Sequence, residues 1–259
     1  MLTRTFIEKT LLDLGEMAVD EVQSPDSVWQ LYACLLPQLT ATLRGESIGG
    51  DNFASVVLEF DDSRFQKQIN EIFPQLVLGR GSLCIKTRDE FENVCTQILR
   101  TIRALPPDYD ANDFHEFDHE LDDKVTEAEA VVKERRGQAK YRKRLEKLWE
   151  SCCAVTGVSI PEVLRASHAK PWKACTSGRE RLDPYNGFLL SANLDALFDK
   201  YLITFEDNGD LLCSPVLDSE QLASLGIQPH MKLRWVDQRH LEYLQYHRAE
   251  FLKKADSQK

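Results

Sequence analysis

A chain of 259 residues, 42% hydrophobic and 9% aromatic, is long enough to bury a core and exceeds the usual size of one domain. No run of about 18 or more apolar residues occurs, so the sequence predicts no membrane span, and the N-terminus lacks the features of a secretory signal. We therefore expect a cytoplasmic protein with two domains. Its seven cysteines are widely scattered without a Cys-x-x-Cys pair, which favours reduced thiols over a disulfide framework or a structural zinc site.

The net charge of −10 is unevenly distributed along the chain. Residues 1–130 contain 11 Lys and Arg against 25 Asp and Glu, a balance of −14, whereas residues 131–259 contain 21 against 17, a balance of +4. A phosphate-binding surface requires local positive charge rather than a positive total. The overall charge therefore does not exclude a nucleic acid as the partner of the C-terminal half.

Apolar residues at helical spacing predict two helices at the start of the chain. The first covers residues 6–17. The second begins after Ser27 and places five apolar or aromatic side chains on one face: Val28, Leu31, Tyr32, Leu35 and Leu36. No chemical motif accompanies either helix.

A strand and two further helices are predicted next. A Gly-Gly-Asp-Asn turn at residues 49–52 precedes a run rich in β-branched residues at 54–60, which predicts a strand. A helix is predicted over residues 64–72 and an extended segment near residues 76–85. Thr87 and Glu90 have the spacing of a capping box, and the helix that they open ends before Pro106 and Pro107. Residues 1–105 are therefore predicted to form a mixed α/β module, whose role the sequence leaves open.

Acidic residues dominate the next segment, 106–130. His115 and His119 lie four apart among carboxylates, a spacing that would allow both to bind a metal from one helix face. A run of like charges is more typical of a solvated segment. We interpret residues 106–130 as an acidic linker.

The charge reverses after residue 130. Tyr141, Leu145 and Leu148 have core-facing helical spacing, so an amphipathic helix is predicted before Trp149. Its exposed face is either an ordinary solvated surface or a surface that contacts phosphates. The helix carries eight basic residues: Lys133, Arg135, Arg136, Lys140, Arg142, Lys143, Arg144 and Lys147.

Several motifs follow one another from this helix onward. They are RGQAKYR at 136–142, CAVTG at 153–157, SHAKPW at 167–172, DPYNGFLLS at 183–191, NLDALFDK at 193–200, LITF at 202–205, a turn at 207–210 and YLQYHR at 243–248. In this order they resemble the HNH endonucleases, in particular the restriction-type branch of bacterial proteins. The resemblance covers about half of the chain.

The resemblance implies an α+β protein whose C-terminal domain, residues 131–259, has the ββα-metal fold. In that fold two short strands and a helix hold one divalent cation against the scissile phosphate. The implied activity is metal-dependent hydrolysis of DNA phosphodiester bonds, in restriction or defence against foreign DNA. One site per chain would require a dimer or sequential nicking to cut both strands.

Two residues of the motifs are expected to serve the attacking water. His168, at the end of the first strand, would accept the proton of this water, because an unperturbed imidazole titrates near neutral pH. Asn186 lies in a turn in which short amide side chains bond to nearby backbone, so we expect it to hold the loop and to aim His168. Trp172 is interpreted as a packing residue and Asp183 as a turn or cap residue.

Three further residues are expected to bind the metal. Asp195 occupies the position of the last histidine or asparagine of the family motif, and Asp199 follows one helical turn later on the same face. Carboxylates are hard ligands, which favours Mg²⁺ or Mn²⁺. Ser167 stands where many members of the family have a metal-binding Asp or His.

Four basic residues near these motifs are candidates for contacts with DNA phosphates: Arg142, Arg165, Lys170 and Arg181. An alternative function also remains open. Because the hydroxyl of Ser167 is a poor cation ligand, the domain could be a catalytically weak or inactive HNH-fold module that binds DNA or a protein and is regulated by the acidic N-terminal domain.

Overall fold

The computed structural model of the protein describes residues 1–13, 18–23, 29–36, 39–79, 81–104, 127–228 and 230–257. The chain divides into two compact units, Met1–Ile102 and Arg103–Lys259. No helix in the described ranges is long and apolar enough to cross a membrane. Most of the predicted acidic linker, with His115, His119 and the two prolines before them, lies outside the described residues.

The first unit is built around a six-stranded antiparallel sheet in the order β1-β5-β4-β3-β2, with β6 also paired to β5. The strands are β1 (Leu2–Thr3), β2 (Ala18–Gln23), β3 (Trp29–Leu36), β4 (Leu39–Gly49), β5 (Asn52–Phe60) and β6 (Leu83–Ile85). The helices are α1 (Arg4–Asp13), α2 (Ser63–Ile72) and α3 (Arg88–Ala104). The predicted strand at 54–60 and helix at 64–72 are confirmed. The end of the first predicted helix, residues 14–17, is not described.

The helix predicted after Ser27 is wrong, because this segment forms strand β3. Leu31 and Leu35 are four residues apart, which fits a helix, but Ala33 between them is buried as well. Burial of alternate residues is the period of a strand. Hydrogen bonding to β2 on one side and β4 on the other makes this segment a strand rather than a helix.

The predicted capping box of α3 is present. Thr87 Oγ1 accepts a hydrogen bond from the amide of Glu90 at 3.2 Å, and Glu90 Oε2 accepts one from the amide of Thr87 at 3.1 Å. These bonds satisfy amides that the first turn of a helix leaves without partners.

The second unit contains a hairpin followed directly by a helix. Strand β7 (Leu164–His168) pairs antiparallel with β8 (Gly187–Ser191), and α6 (Ala192–Asp199) packs on both strands. The other elements are α4 (Glu127–Leu148), α5 (Gly178–Leu182), β9 (Ile203–Phe205), β10 (Leu211–Cys213), α7 (Ser219–Ser224) and α8 (Leu241–Ser257). The combination of helices with antiparallel sheets confirms the α+β class.

The core of this unit joins α4 to the hairpin and α6. Tyr141, Leu145 and Leu148 are buried, so the amphipathic helix predicted before Trp149 is confirmed. Phe188 of β8 lies at the centre of the core, with its ring 5.8 Å from that of Phe198 and at an edge-to-face angle. This packing joins the hairpin to both helices.

Candidate functional site

The register of the hairpin places His168, the last residue of β7, opposite Gly187, the first residue of β8. The loop between them is tied together by Asn186, which is completely buried. Asn186 Oδ1 accepts a hydrogen bond from the amide of Lys170 at 2.8 Å, and its Nδ2 donates to the carbonyls of Lys170 and Glu180, each at 3.1 Å. One amide side chain therefore joins the beginning and the middle of the loop to the residue that precedes β8.

The imidazole of His168 is held by a backbone carbonyl. Its Nε2 lies 3.0 Å from the carbonyl oxygen of Arg181, which can only accept, so Nε2 carries the proton. Nδ1 is then the unprotonated nitrogen, and it forms no hydrogen bond with the described part of the chain. Burial lowers the pKa of His168 to about 4, against the opposing effect of the Arg181 carbonyl. The ring is therefore neutral near pH 7 and able to accept a proton at Nδ1.

Tyr141 of α4 packs directly on His168. The two rings are stacked with centroids 3.6 Å apart and an angle of 15° between their planes. The Tyr141 hydroxyl donates to the carbonyl of Asn186 at 2.8 Å and lies 3.4 Å from the carbonyl of Ser167. The sequence indicated Tyr141 only as a core residue and as the aromatic position of a motif; its place against His168 required the tertiary structure.

Gly187 makes room for this tyrosine. Its φ is +152°, and a Cβ at this position would overlap both the carbonyl oxygen of Ser167 and the hydroxyl of Tyr141. A glycine is needed here because the strand ends and the tyrosine hydroxyl meet at this point.

We therefore expect Gly187→Ala to lower the free energy of unfolding by about 2–4 kcal/mol, from overpacking and backbone strain together. Gly157 is the matched control, because it also has a positive φ, +71°, but open space where its Cβ would lie. Gly157→Ala should cost only about 1 kcal/mol. Urea unfolding of both variants measures the difference, and equal losses would show that the close approach at Gly187 is unimportant.

Ser167 and Asp195 meet across the hairpin and α6. The Ser167 hydroxyl, which is buried, donates a short hydrogen bond to Asp195 Oδ1. Burial raises the pKa of the Asp195 carboxyl above its ordinary value, partly offset by the Ser167 hydrogen bond, and the charge of Asp199 raises it further. A nearby positive charge would stabilise the ionised carboxylate and lower this pKa again.

Asp199 lies one turn beyond Asp195 at the end of α6 and is exposed, with its carboxylate 3.2 Å from Lys200 Nζ. Within the described residues, no group of three or more His, Cys, Asp or Glu is arranged to hold a metal ion. The chain's own donors at this point are two carboxylates and one hydroxyl. Oxygen donors of this kind suit a hard divalent cation that completes its shell with water and substrate phosphate oxygens.

The four predicted phosphate contacts have different surroundings. Arg165 is exposed, and its charge acts on Asp195, while its Nη1 donates to the carbonyls of Glu162 and Leu164 at 2.9 Å each. Arg142 pairs with Glu146 at 2.7 Å and donates to the carbonyl of Leu164 at 2.9 Å. Both arginines therefore brace the start of β7 from its exposed side.

Lys170 and Arg181 are used inside the loop instead. Lys170 pairs with Glu180 at 2.8 Å. Arg181 is only 4% exposed and donates to the carbonyls of Trp172 and Cys175, at 3.3 and 2.8 Å. A guanidinium held on backbone carbonyls within the loop is not placed to meet a phosphate from solvent, which corrects the prediction for Arg181.

The contacts of Trp172 and Asp183 also serve the structure of the loop. Trp172 is buried and presents its ring edge-on to His168, at 6.1 Å between centroids. Asp183 follows α5 and accepts hydrogen bonds from the amide of Tyr185 at 2.9 Å and the hydroxyl of Tyr243 at 3.0 Å. These contacts are those of a packing residue and a turn residue.

Comparison with known proteins identifies this part of the chain. Residues 153–206 match the model of the HNH endonuclease family. The matched segment contains the hairpin, the loop, α6 and β9, and with them His168, Asn186 and Asp195. No curated protein matches the chain. The resemblance inferred from the sequence is thus confirmed for this segment, and it supports a ββα nuclease fold and nuclease activity on DNA.

Proposed function

We propose that the protein is a metal-dependent HNH endonuclease that hydrolyses DNA phosphodiester bonds with Mg²⁺ or Mn²⁺. The observation that carries the proposal is the pairing at the end of β7 of a neutral His168, with Nδ1 available, and a carboxylate held by the preceding residue, Ser167. His168 and Ser167 occupy adjacent strand positions, and Ser167 holds the metal ligand Asp195 of α6, so in this proposal the base and the metal ligand serve the same reacting phosphate. Restriction or defence against foreign DNA in the cytoplasm is the proposed setting.

His168 acts as the general base in this proposal. Nδ1 takes a proton from the attacking water, while the Arg181 carbonyl continues to accept from Nε2 and stabilises the imidazolium that forms. The negative charge of a bound phosphodiester favours the protonated ring, so it opposes the lowering of the His168 pKa by burial. Asn186 keeps the loop, and with it the Arg181 carbonyl, in place.

Asp195 and Asp199 are the proposed metal ligands, and Ser167 orients Asp195. When bound, the metal polarises the phosphoryl oxygen and offsets the charge of the departing 3′ oxygen. The raised pKa of Asp195 means that its ionised carboxylate lacks stabilisation. A bound cation supplies that stabilisation, which favours binding of the metal.

Cleavage of supercoiled plasmid by the intact chain tests this function. We expect nicked or linear product with Mg²⁺ or Mn²⁺ and none in excess EDTA. The ratio of nicked to linear product shows whether the two strands are cut together or one at a time. Retention of DNA binding without cleavage in any divalent metal would reject the nuclease and favour the alternative, a module that binds DNA without turnover.

The metal proposal predicts the effect of a carboxylate at position 167. Ser167→Asp should tighten Mn²⁺ binding roughly tenfold, because it adds a hard oxygen ligand beside Asp195. Without metal the same variant should be less stable than the parent, because two carboxylates then lie side by side. Calorimetric titration measures the affinity, and Ser167→Asn controls for size without charge. Weaker metal binding by Ser167→Asp would mean that residue 167 does not face the cation.

The exposed lysines of α4 are proposed to contact the DNA backbone together with Arg165 and Arg142. Lys143 and Lys147 are exposed, share one helix face, and form no ion pair or hydrogen bond with the described residues. Unpaired cations on one face are able to replace the counterions of a phosphate backbone.

Reversal of both charges, Lys143→Glu with Lys147→Glu, should weaken DNA binding roughly tenfold or more and reduce the slope of log K against log salt by about 2. The matched control is Lys67→Glu with Lys86→Glu, which changes two exposed lysines of the first unit by the same total charge. Fluorescence anisotropy across a salt series compares them. Equal losses for the two double variants would show that only total charge matters.

A further inference from the structure

The end of the hairpin is held from α4 by two side chains. Tyr141 stacks on the ring of His168, and Arg144, one turn later, donates from Nη1 to the carbonyl of Leu182 at 3.0 Å. Leu182 follows Arg181, whose carbonyl oxygen accepts the hydrogen bond from His168 Nε2. One helix therefore supports both the face of the imidazole and the segment that fixes its protonated nitrogen.

A single hydrogen bond fixes the position of Nε2, but it leaves the plane of the imidazole free to rotate about the axis of that hydrogen bond. The stacked ring of Tyr141 removes this freedom, because the two planes are nearly parallel at a separation of 3.6 Å. The direction of Nδ1 is then determined by two contacts rather than one.

The Tyr141 hydroxyl adds a connection between the strands. It donates to the carbonyl of Asn186 and lies beside the carbonyl of Ser167, the residues that precede Gly187 and His168. Because Gly187 has no side chain, the hydroxyl reaches the backbone at this pair. Burial raises the pKa of Tyr141 well above its ordinary value, so the phenol stays neutral and does not act as an acid or base itself.

We propose that Tyr141 is a positioning residue of the reaction, whose ring orients the imidazole of His168 and whose hydroxyl holds the two strand ends in register. This inference rests on the proposed function, in which His168 is the base. It assigns to the helix before the hairpin a part in catalysis that acts entirely through His168.

Two variants separate the ring from the hydroxyl. Tyr141→Phe keeps the stack and removes one hydrogen bond, so kcat should fall roughly threefold to tenfold with the KM for DNA unchanged. Tyr141→Leu removes the stack, and a base that is no longer aimed should cost on the order of 10² in kcat. Tyr246→Phe is the control, since the ring of Tyr246 is near Lys170 rather than His168.

The separation of kcat from KM distinguishes positioning from a purely structural role. A base that is no longer aimed slows the chemical step without changing the KM for DNA, whereas a displaced loop also raises KM.

Loss of kcat in Tyr141→Leu with an unchanged KM for DNA supports the positioning role, whereas an unchanged kcat, or a loss of kcat accompanied by a raised KM, overturns it and leaves a purely structural role. If Tyr141→Leu does not fold, Tyr141→Phe decides, because an unchanged kcat in that variant overturns the proposal. Failure of the proposed function is recognised separately, by full activity in His168→Ala.

Discussion

Replacement of His168 by alanine is expected to lower the rate of plasmid cleavage by roughly 10²–10⁴-fold, the usual effect of losing a positioned general base. The expectation follows from the geometry at Nδ1, which is unprotonated while Nε2 is committed to the Arg181 carbonyl. Single-turnover cleavage at saturating enzyme measures the chemical step. Because the neutral ring forms no ion pair in the described residues, the affinity for DNA should change little.

His230→Ala is the control for this variant, because His230 is exposed and lies outside the matched segment. It should cleave at the parent rate. Thermal unfolding of both variants separates lost chemistry from lost fold, since removing a half-buried stacked ring also lowers stability. If His168→Ala cuts DNA as fast as the parent, the active site lies elsewhere.

Replacement of Asp195 by alanine should abolish metal-dependent cleavage and weaken metal binding by about 10²-fold or more. Changes in groups that only support a metal ligand already cost 10–100-fold in affinity, so the loss of a ligand should cost at least as much. Metal titration by calorimetry and cleavage over a range of Mn²⁺ concentrations measure the two effects. Excess metal should restore part of the activity if Asp199 still binds.

Asp195→Asn separates charge from shape. The amide oxygen still accepts the hydrogen bond from Ser167, so the contact between β7 and α6 remains while the negative charge is lost. We expect Asp195→Asn to be as deficient in metal binding as Asp195→Ala but closer to the parent in stability. Undiminished activity of the parent in excess EDTA, or of Asp195→Asn with metal, would contradict the assignment.

Local elements of the first unit were predictable because their signals are local. The capping box of α3 depends on Thr87 and Glu90, three residues apart, and β5 follows from a run of β-branched residues after a turn. Strand β3 was predicted as a helix because its apolar spacing fits both periods. Only its pairing with β2 and β4, which involves residues distant in sequence, selects the strand.

In the second unit, the order and spacing of the motifs by themselves determined the family resemblance, and they indicated His168, Asn186 and Asp195 as the candidate site residues. The tertiary structure decided how they are held. The antiparallel register and the packing of α6 bring Ser167 to Asp195, and α4 brings Tyr141 to His168. The tertiary structure also buries Arg181 in the loop, where its guanidinium donates to backbone carbonyls that would otherwise lack hydrogen bonds. Such contacts join residues that are far apart in the chain. The spacing of residues in the sequence does not predict these contacts, which depend on how the elements pack.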